Sequence, residues 1–282
     1  MTGIVAATVA AHVPTLGLEK NTPDFQQTLV AAERELGNAL RRTVAPELWI
    51  LVSAHWVATF DWPVTAQAMH DGYCVADEAP NLIPGEPYKY RGDPEFAGAL
   101  VEALVAAGVP SVRNDSPRYE WDYGTFVPLK YLDPNAEAAV VGLPSVLMSD
   151  HAECQRAGAA IHATAKRLGR RAVFVASTAF SHVLVRGRHN LPTPERIAAD
   201  QRFVELLKRG AIAEATMGFA EYSRFTGAEM GGRPLATFLG VANAMCAEGK
   251  TLSGRQYGDY AQSSGSYNAV LAVADREVMG RL

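Results

Sequence analysis

Cysteine is scarce in this chain. Of 282 residues only Cys74, Cys154 and Cys246 carry thiols, an odd number, far apart and with no CxxC pair. That usage fits a reducing, cytoplasmic setting with buried, inert thiols. Long apolar runs are also missing. The N-terminal MTGIVAATVAAHVP is apolar, but it lacks a basic leader and breaks at His12 and Pro14, so it reads as a buried strand and not as a signal peptide. No other segment approaches the ~18 continuous apolar residues of a membrane span. Charge of one sign is equally lacking: 26 Lys and Arg are interspersed with 30 Asp and Glu for a net charge of −4. Without a broad basic surface, nucleic acid and anionic membrane are poor partners, and a small molecule is the better expectation.

What is present is the composition of a soluble globular chain, 48% hydrophobic and 20% charged, with no low-complexity tract and no repeat of fixed period. Short apolar, β-rich runs alternate with amphipathic helical stretches, which predicts a single α/β domain over residues 1–282 with a mainly parallel central sheet covered by helices. The expected central strands are Ile4 to Val9, Leu48 to Ser53, Ala138 to Gly142 and Ala172 to Ser177. Phe25 to Arg42, Pro94 to Ala107, Ala152 to Leu168 and Pro194 to Arg209 have the apolar spacing of the covering helices. A further helix around Pro234 to Ala247 precedes two strand-like pieces, Leu252 to Tyr260 and Tyr267 to Ala274, expected to form a C-terminal antiparallel pair. Residues 66–93 change character, with three prolines, three glycines and three tyrosines and no sustained period. They are expected to form an active-site loop or lid, or an ordered surface excursion that packs its own aromatics. The stretch YEWDYGTFVP, Tyr119 to Pro128, packs four aromatic rings and two acids and is expected to end in a turn.

Three of the seven histidines stand at strand ends: His12 after the first strand, His55 after the second in LVSAHW, and His182 after the fourth in VASTAFSH. Ligands of open α/β sheets bind outside the carboxyl ends of the strands, so three histidines delivered to that edge point to a site. His70 and His189 sit in polar loop contexts, His162 lies on a helix and His151 at a helix start, and surface or satisfied-core roles suit all four. Two imidazoles and one carboxylate, with coordination positions left open, define the facial type of non-haem Fe(II) site. For the carboxylate, Glu229 in FTGAEMGGRP and Asp122 are candidates. Glu229 is the more isolated acid, although an acid at a helix start is equally consistent with a purely structural role.

The motifs AHVPTLG, VSAHWVATF, WDYGTFVPLKYL, STAFSHVLVRG, GAEMGG and SSGSYNAVLAV resemble, in order and over nearly the whole chain, the class III extradiol ring-cleaving dioxygenases, the protocatechuate 4,5-dioxygenase β-subunit superfamily. The resemblance implies an α/β enzyme with Fe(II) that opens a catechol-like ring with O2, with His12, His55 and Glu229 as iron ligands and His182 as acid/base. It also implies a homo-oligomer, possibly with a non-identical partner subunit. Many members carry histidine in an Asp-His-Gly motif where this chain has Asp122-Tyr123-Gly124. Tyrosine there is similar to the homoprotocatechuate 2,3-dioxygenase and 2-aminophenol 1,6-dioxygenase branches. A phenol of reference pKa near ~10 stays protonated at neutral pH, so Tyr123 is suited to donate a hydrogen bond and poorly suited to act as a base. That leaves the base work to His182.

Three further substrate contacts are weaker expectations. Asp122 could hold a positive group or accept backbone donors in its own turn, Arg186 with Arg188 could clamp a substrate carboxylate, and Ser264 in the SSGS turn could approach the substrate. The expected reaction opens a catechol, an aminophenol or a related hydroxylated ring, N-heterocycles included, to a semialdehyde-type product. Two alternatives stand beside it: a non-catalytic partner subunit, and a zinc-dependent hydrolase built on the same two histidines and glutamate.

Overall fold

Eight consecutive residues, Gly3–Ala10, are all buried, the mark of a strand covered on both faces. The structure, a computed structural model, describes residues 2–185 and 191–282. Its strands are β1 (Gly3–Ala10), β2 (Leu48–Ala58), β3 (Trp62–Thr65), β4 (Met69–Val75), β5 (Pro84–Arg91), β6 (Ser111–Asn114), β7 (Ala139–Val146), β8 (Arg171–Ser177), β9 (Leu252–Ser263) and β10 (Ser266–Asp275). The helices are α1 (Gln27–Thr43), α2 (Pro94–Ala106), α3 (Tyr123–Leu132), α4 (His151–Arg167), α5 (Pro194–Lys208), α6 (Ile212–Met217), α7 (Phe219–Thr226), α8 (Arg233–Ala247) and α9 (Arg276–Met279).

The main sheet has the order β7-β2-β8-β1-β10-β9. The first four strands are parallel, and β10 and β9 continue the sheet antiparallel. Alternate residues feed two cores. Ile50, Phe174 and Leu271 face one side together with residues of α2, α4, α5 and α8. Trp49, Val175 and Val270 face the other with residues of α1, α3 and the β4–β5 pair. Each such fully buried side chain contributes roughly 1.5–3 kcal/mol relative to exposure. The mixed α/β architecture, its mainly parallel sheet and its antiparallel C-terminal pair are those expected from the sequence. Of the four expected central strands, β7 lies at the sheet edge.

Within residues 66–93, expected to be a loop or lid or an ordered excursion, β4 and β5 pair antiparallel, with Met69 opposite Arg91 and Cys74 opposite Glu86. His70 is therefore buried on a strand, its Nε2 3.1 Å from the Val140 carbonyl. The stretch Tyr119 to Pro128 does not end in a turn but opens helix α3. Asp122 caps that helix by accepting from Thr125 N at 3.1 Å, and Pro128 lies inside it.

Candidate metal centre

Strands β1, β8 and β2 are neighbours in the sheet, so the segments leaving their carboxyl ends converge. His12 follows β1 by two residues. His55 lies in an irregular stretch of β2, where Val52 faces Leu143 but Val57 already faces Ser145. The four residues in between must bulge, and the Ser53 hydroxyl fixes their shape. It accepts from His55 N at 3.0 Å and Trp56 N at 3.3 Å, and donates to Asp122 Oδ1 at 2.5 Å. Gly124 is required against this bulge, because a Cβ there would collide with Ser53 Oγ and come within 2.8 Å of Asp122 Oδ1. The β2 bulge and the first turn of α3 are thereby interlocked, which sets His55 beside Tyr123 with ring centroids 4.0 Å apart.

Glu229 arrives from the other side. Helix α7 ends on left-handed Gly227, and Glu229 opens a short 3-10 turn in which Met230, Gly231 and Gly232 all have positive φ, at 49°, 63° and 78°. Such a run suits glycine and costs a non-glycine residue about 1–2 kcal/mol. The glycines of GAEMGG therefore serve to turn Glu229 inward. The turn is tied to the segment after β8 by Glu229 N donating to Phe180 O at 3.3 Å and by the bridge Ser181–Ala228. His182 sits on the same segment, its N donating to Gly227 O at 3.2 Å.

At the centre, Glu229 Oε1 lies 3.3 Å from His12 Nε2, 3.4 Å from His55 Nε2 and 3.1 Å from His182 Nε2. Glu229 Oε2 is already satisfied by Ala179 N at 2.7 Å and Thr178 Oγ1 at 3.2 Å. One oxygen is held by the protein and the other is aimed inward. The ligand atoms of His12, His55 and Glu229 all lie within 4.8 Å of one another, so the three could hold a metal ion.

Hydrogen accounting tests whether a cation fits. The single proton of Ser177 Oγ goes to Gly124 O at 2.5 Å. Gly124 O is the carbonyl whose helical donor would be residue 128, a proline with no N–H. Ser177 Oγ must then accept from His12 Nδ1, 3.0 Å away, which leaves His12 Nε2 as a bare lone pair in the neutral ring. On His55, Nδ1 faces the Glu78 carboxylate at 3.5 Å, and Nε2 lies 2.7 Å from the Tyr123 hydroxyl, whose proton it can accept. Two imidazole nitrogens and a carboxylate oxygen packed at 3.3–3.4 Å are a donor set that a positive charge among them would complete. It fits a divalent cation, with the outer nitrogen of His12 oriented by Ser177 as metal-bound histidines require.

Burial alone would raise Glu229, but the charge and hydrogen bond of His12, the hydrogen bond of His55 and the charge of His182 outweigh it and hold the carboxyl well below its usual range. Burial lowers His55, yet the hydrogen bond and charge of Glu229 bring it above the usual imidazole value. His182, outside the ligand set, is lowered by burial and stands neutral at pH 7. Burial raises the Tyr123 phenol, which therefore stays protonated; its hydroxyl lies 2.7 Å from His55 Nε2.

These groups line a cavity of about 550 Å³. Its apolar wall includes Pro14, Pro23, Phe25, Ala79, Leu82 and Leu184, and its polar wall includes Ser264. The tip of the β4–β5 hairpin supplies Glu78, Ala79 and Leu82, so the 66–93 stretch does border the site. Asp122 is placed otherwise: its two oxygens are spent on Ser53 Oγ and on Thr125 N and Oγ1. Arg186, together with Arg188 and His189, lies outside the described residues. His151 and His162 serve structure, at the Gly231 carbonyl (2.7 Å) and beside Glu248 (3.1 Å). Sequence reasoning missed Ser177 and Glu78, since a serine at a strand end and an acid in an aperiodic stretch carry no signal of their own. No described helix is long and apolar enough to cross a membrane.

The same arrangement of elements recurs in a crystal structure of an uncharacterized protein from Escherichia coli K12, which superposes with a TM-score of 0.67 at 20% identity, covering 95% of this chain and 99% of that one. By sequence, the chain is 20% identical over 260 residues to 3,4-dihydroxyphenylacetate 2,3-dioxygenase of Escherichia coli, covering 89% of this chain and 94% of the relative. It is 25% identical over 236 residues to the 2-aminophenol 1,6-dioxygenase beta subunit of a Pseudomonas species, covering 75% and 76%. Residues 6–265 match the family described as the catalytic LigB subunit of aromatic ring-opening dioxygenase. With nearly the full chain matched, the protein belongs to that family and is a ring-cleavage dioxygenase of the class III extradiol kind.

Proposed function

We propose that the centre holds Fe(II) and that the enzyme opens a catechol, a 2-aminophenol or a related hydroxylated aromatic or N-heterocyclic ring with O2, giving a semialdehyde-type product. The observation that carries this reading is the single Glu229 oxygen facing His12 Nε2 at 3.3 Å and His55 Nε2 at 3.4 Å, three ligand atoms that all lie within 4.8 Å of one another. His12, His55 and Glu229 would hold the iron. Bound there, it would supply adjacent coordination positions for the ring oxygens and O2 and exchange electrons between them.

The remaining work falls to this chain's own residues. His182, neutral and beside the centre but outside the ligand set, takes a proton from an entering ring hydroxyl and returns it later. Tyr123, kept protonated by burial, donates a hydrogen bond to an oxygen at the centre and orients the ring. Pro14, Phe25, Leu82 and Leu184 clasp the ring face and exclude water. The named relatives act on 3,4-dihydroxyphenylacetate and on 2-aminophenol, and one is a beta subunit. The substrates support a ring with adjacent hydroxyl or amino groups, and the subunit name supports a non-identical partner in the assembly.

The test loads apo-protein with Fe(II) anaerobically, then admits air over catechols, 2-aminophenol and dihydroxypyridines. O2 uptake with a new visible chromophore is expected. No uptake across the panel, or turnover that persists without O2 or with Zn(II) alone, refutes the reading.

A further inference from the structure

Asn268 is 2% exposed yet lines the cavity. Its amide orientation follows from its partners. Nδ2 lies 3.2 Å from Ala261 O, an obligate acceptor, and 3.1 Å from Ser266 Oγ. The Ser266 hydroxyl proton is spent on Ser263 O at 2.8 Å, so Ser266 Oγ accepts from Asn268. Both N–H bonds of the amide are thereby consumed, and the flipped orientation would set two carbonyl oxygens against each other. The Asn268 Oδ1 makes no hydrogen bond among the described residues. It is the one polar atom of this side chain left to meet whatever fills the cavity.

Its place in the sheet puts it at the reaction centre. Ser266 and Asn268 are two apart on β10 and share a face. Ser266 forms a bridge with His182, and the intervening Tyr267 exchanges backbone hydrogen bonds with Phe180 and Ser181. Asn268 thus lies against the segment that carries Ala179 and His182, both of which line the same cavity.

We propose that Asn268 is a specificity-determining residue whose Oδ1 accepts a hydrogen bond from a donor, an O–H or N–H, on the ring substituent of the substrate. This rests on the reading of the cavity as the ring-binding site. An acceptor that is buried and rigidly oriented costs binding energy when it is desolvated without a partner, so it discriminates against a substituent that is apolar or accepts only. The preferred substrate would carry a hydroxyl- or amine-bearing substituent, in contrast to an alkyl one.

The test is anaerobic binding of matched ligands to the Fe(II)-loaded enzyme by calorimetry, which does not require turnover. 3-Methylcatechol and 4-methylcatechol are compared with their hydroxymethyl counterparts, in wild type and in Asn268→Leu. A neutral hydrogen bond to a buried acceptor corresponds to a preference of about fivefold to tenfold. Wild type should show it for at least one ring position, and Asn268→Leu should bring that ratio to about 1. Because Nδ2 also braces the β9–β10 turn, Ser266→Ala serves as control: it removes one brace, keeps Oδ1, and should retain the ratio. Equal binding of both ligand types by wild type, a ratio retained in Asn268→Leu, a ratio lost in Ser266→Ala, or no catechol binding at all would overturn the proposal. Preferential binding followed by no O2 uptake on aeration would uphold it and sink the dioxygenase substrate reading instead.

Discussion

Ser177 joins two needs that have nothing to do with each other chemically, and replacing it separates them. In Ser177→Ala, the Gly124 carbonyl loses the donor that stands in for the missing N–H of Pro128, and His12 loses the acceptor that fixes its Nδ1–H. Ser177 is fully buried, so water cannot easily repair either loss. Each orphaned polar group costs about 1–3 kcal/mol, and with partial relaxation the variant should lose about 2–4 kcal/mol of stability. For a chain of this size that is a fall in Tm of roughly 5–10 °C. His12, free to present either nitrogen, should also bind metal about 10- to 100-fold more weakly. The double variant Ser177→Ala with Pro128→Ala distinguishes the two effects. Alanine at 128 restores a backbone N–H that can reach Gly124 O, so about half of the lost stability should return while metal affinity stays low. Chemical denaturation reads the first quantity and anaerobic Co(II) titration of apo-protein the second. If Ser177→Ala leaves metal affinity unchanged, or if Pro128→Ala restores nothing, the assignment of the serine's proton and lone pair is wrong.

Tyr123→Phe should keep Fe(II) affinity within about threefold while lowering kcat by roughly 100-fold, the scale for losing one donor at a reacting oxygen; unchanged steady-state kinetics would remove the phenol from the mechanism. His182→Gln should likewise retain metal but lose about 100-fold or more in kcat, and a matching loss of metal affinity would instead make it a ligand. Asp200 is buried, accepting from Ser181 N at 3.2 Å, Ser181 Oγ at 2.6 Å and Tyr222 OH at 2.8 Å, and burial raises its carboxyl from the usual 3.8 to about 6. The folded state holds this proton more tightly than the unfolded chain. Its contribution to stability is therefore full below about 3.8 and is lost as pH rises through about 6. Asp200→Asn should gain on wild type by up to ~3 kcal/mol between pH 4 and pH 7 in urea denaturation; a pH-independent difference would refute the buried-charge account.

The central strands were legible because parallel strands covered on both faces must be almost wholly apolar, and Ile4 to Val9 and Ala172 to Ser177 are so apart from Thr8 and Ser177. The β4–β5 hairpin was not. Its strands are broken by Gly72, Gly85 and Pro87, alternate imperfectly, and pair only with each other. Helix α3 was hidden for a different reason: nine of its ten residues are buried, so it has no polar face to set a helical period, and Gly124 and Pro128 read as breakers. Tertiary contacts override both, Gly124 for close approach to Ser53 and Pro128 because Ser177 supplies the missing donor.

At the site, the histidines were legible as ends of strands, whereas spacing favoured Glu229 over Asp122 only as the more isolated acid and left it equally consistent with a helix-start role. Both are acids beside glycine-rich turns at the start of a helical segment. What separates them is how many lone pairs the protein leaves unused. Asp122 commits both oxygens, one to Ser53 Oγ and Thr125 N, the other to Thr125 Oγ1, and so works as a cap that locks the His55 bulge to α3. Glu229 commits only Oε2, to Ala179 N and Thr178 Oγ1, and leaves Oε1 facing the Nε2 atoms of His12, His55 and His182. A buried carboxylate half satisfied by its own backbone and half aimed at imidazole nitrogens is stabilised by a cation that completes it. That distinction lives largely in hydrogen-bond partners far away in sequence, 50 and 51 residues for Glu229 and 69 for Asp122 with Ser53, which is why spacing could not express it and the motif resemblance named Glu229 instead.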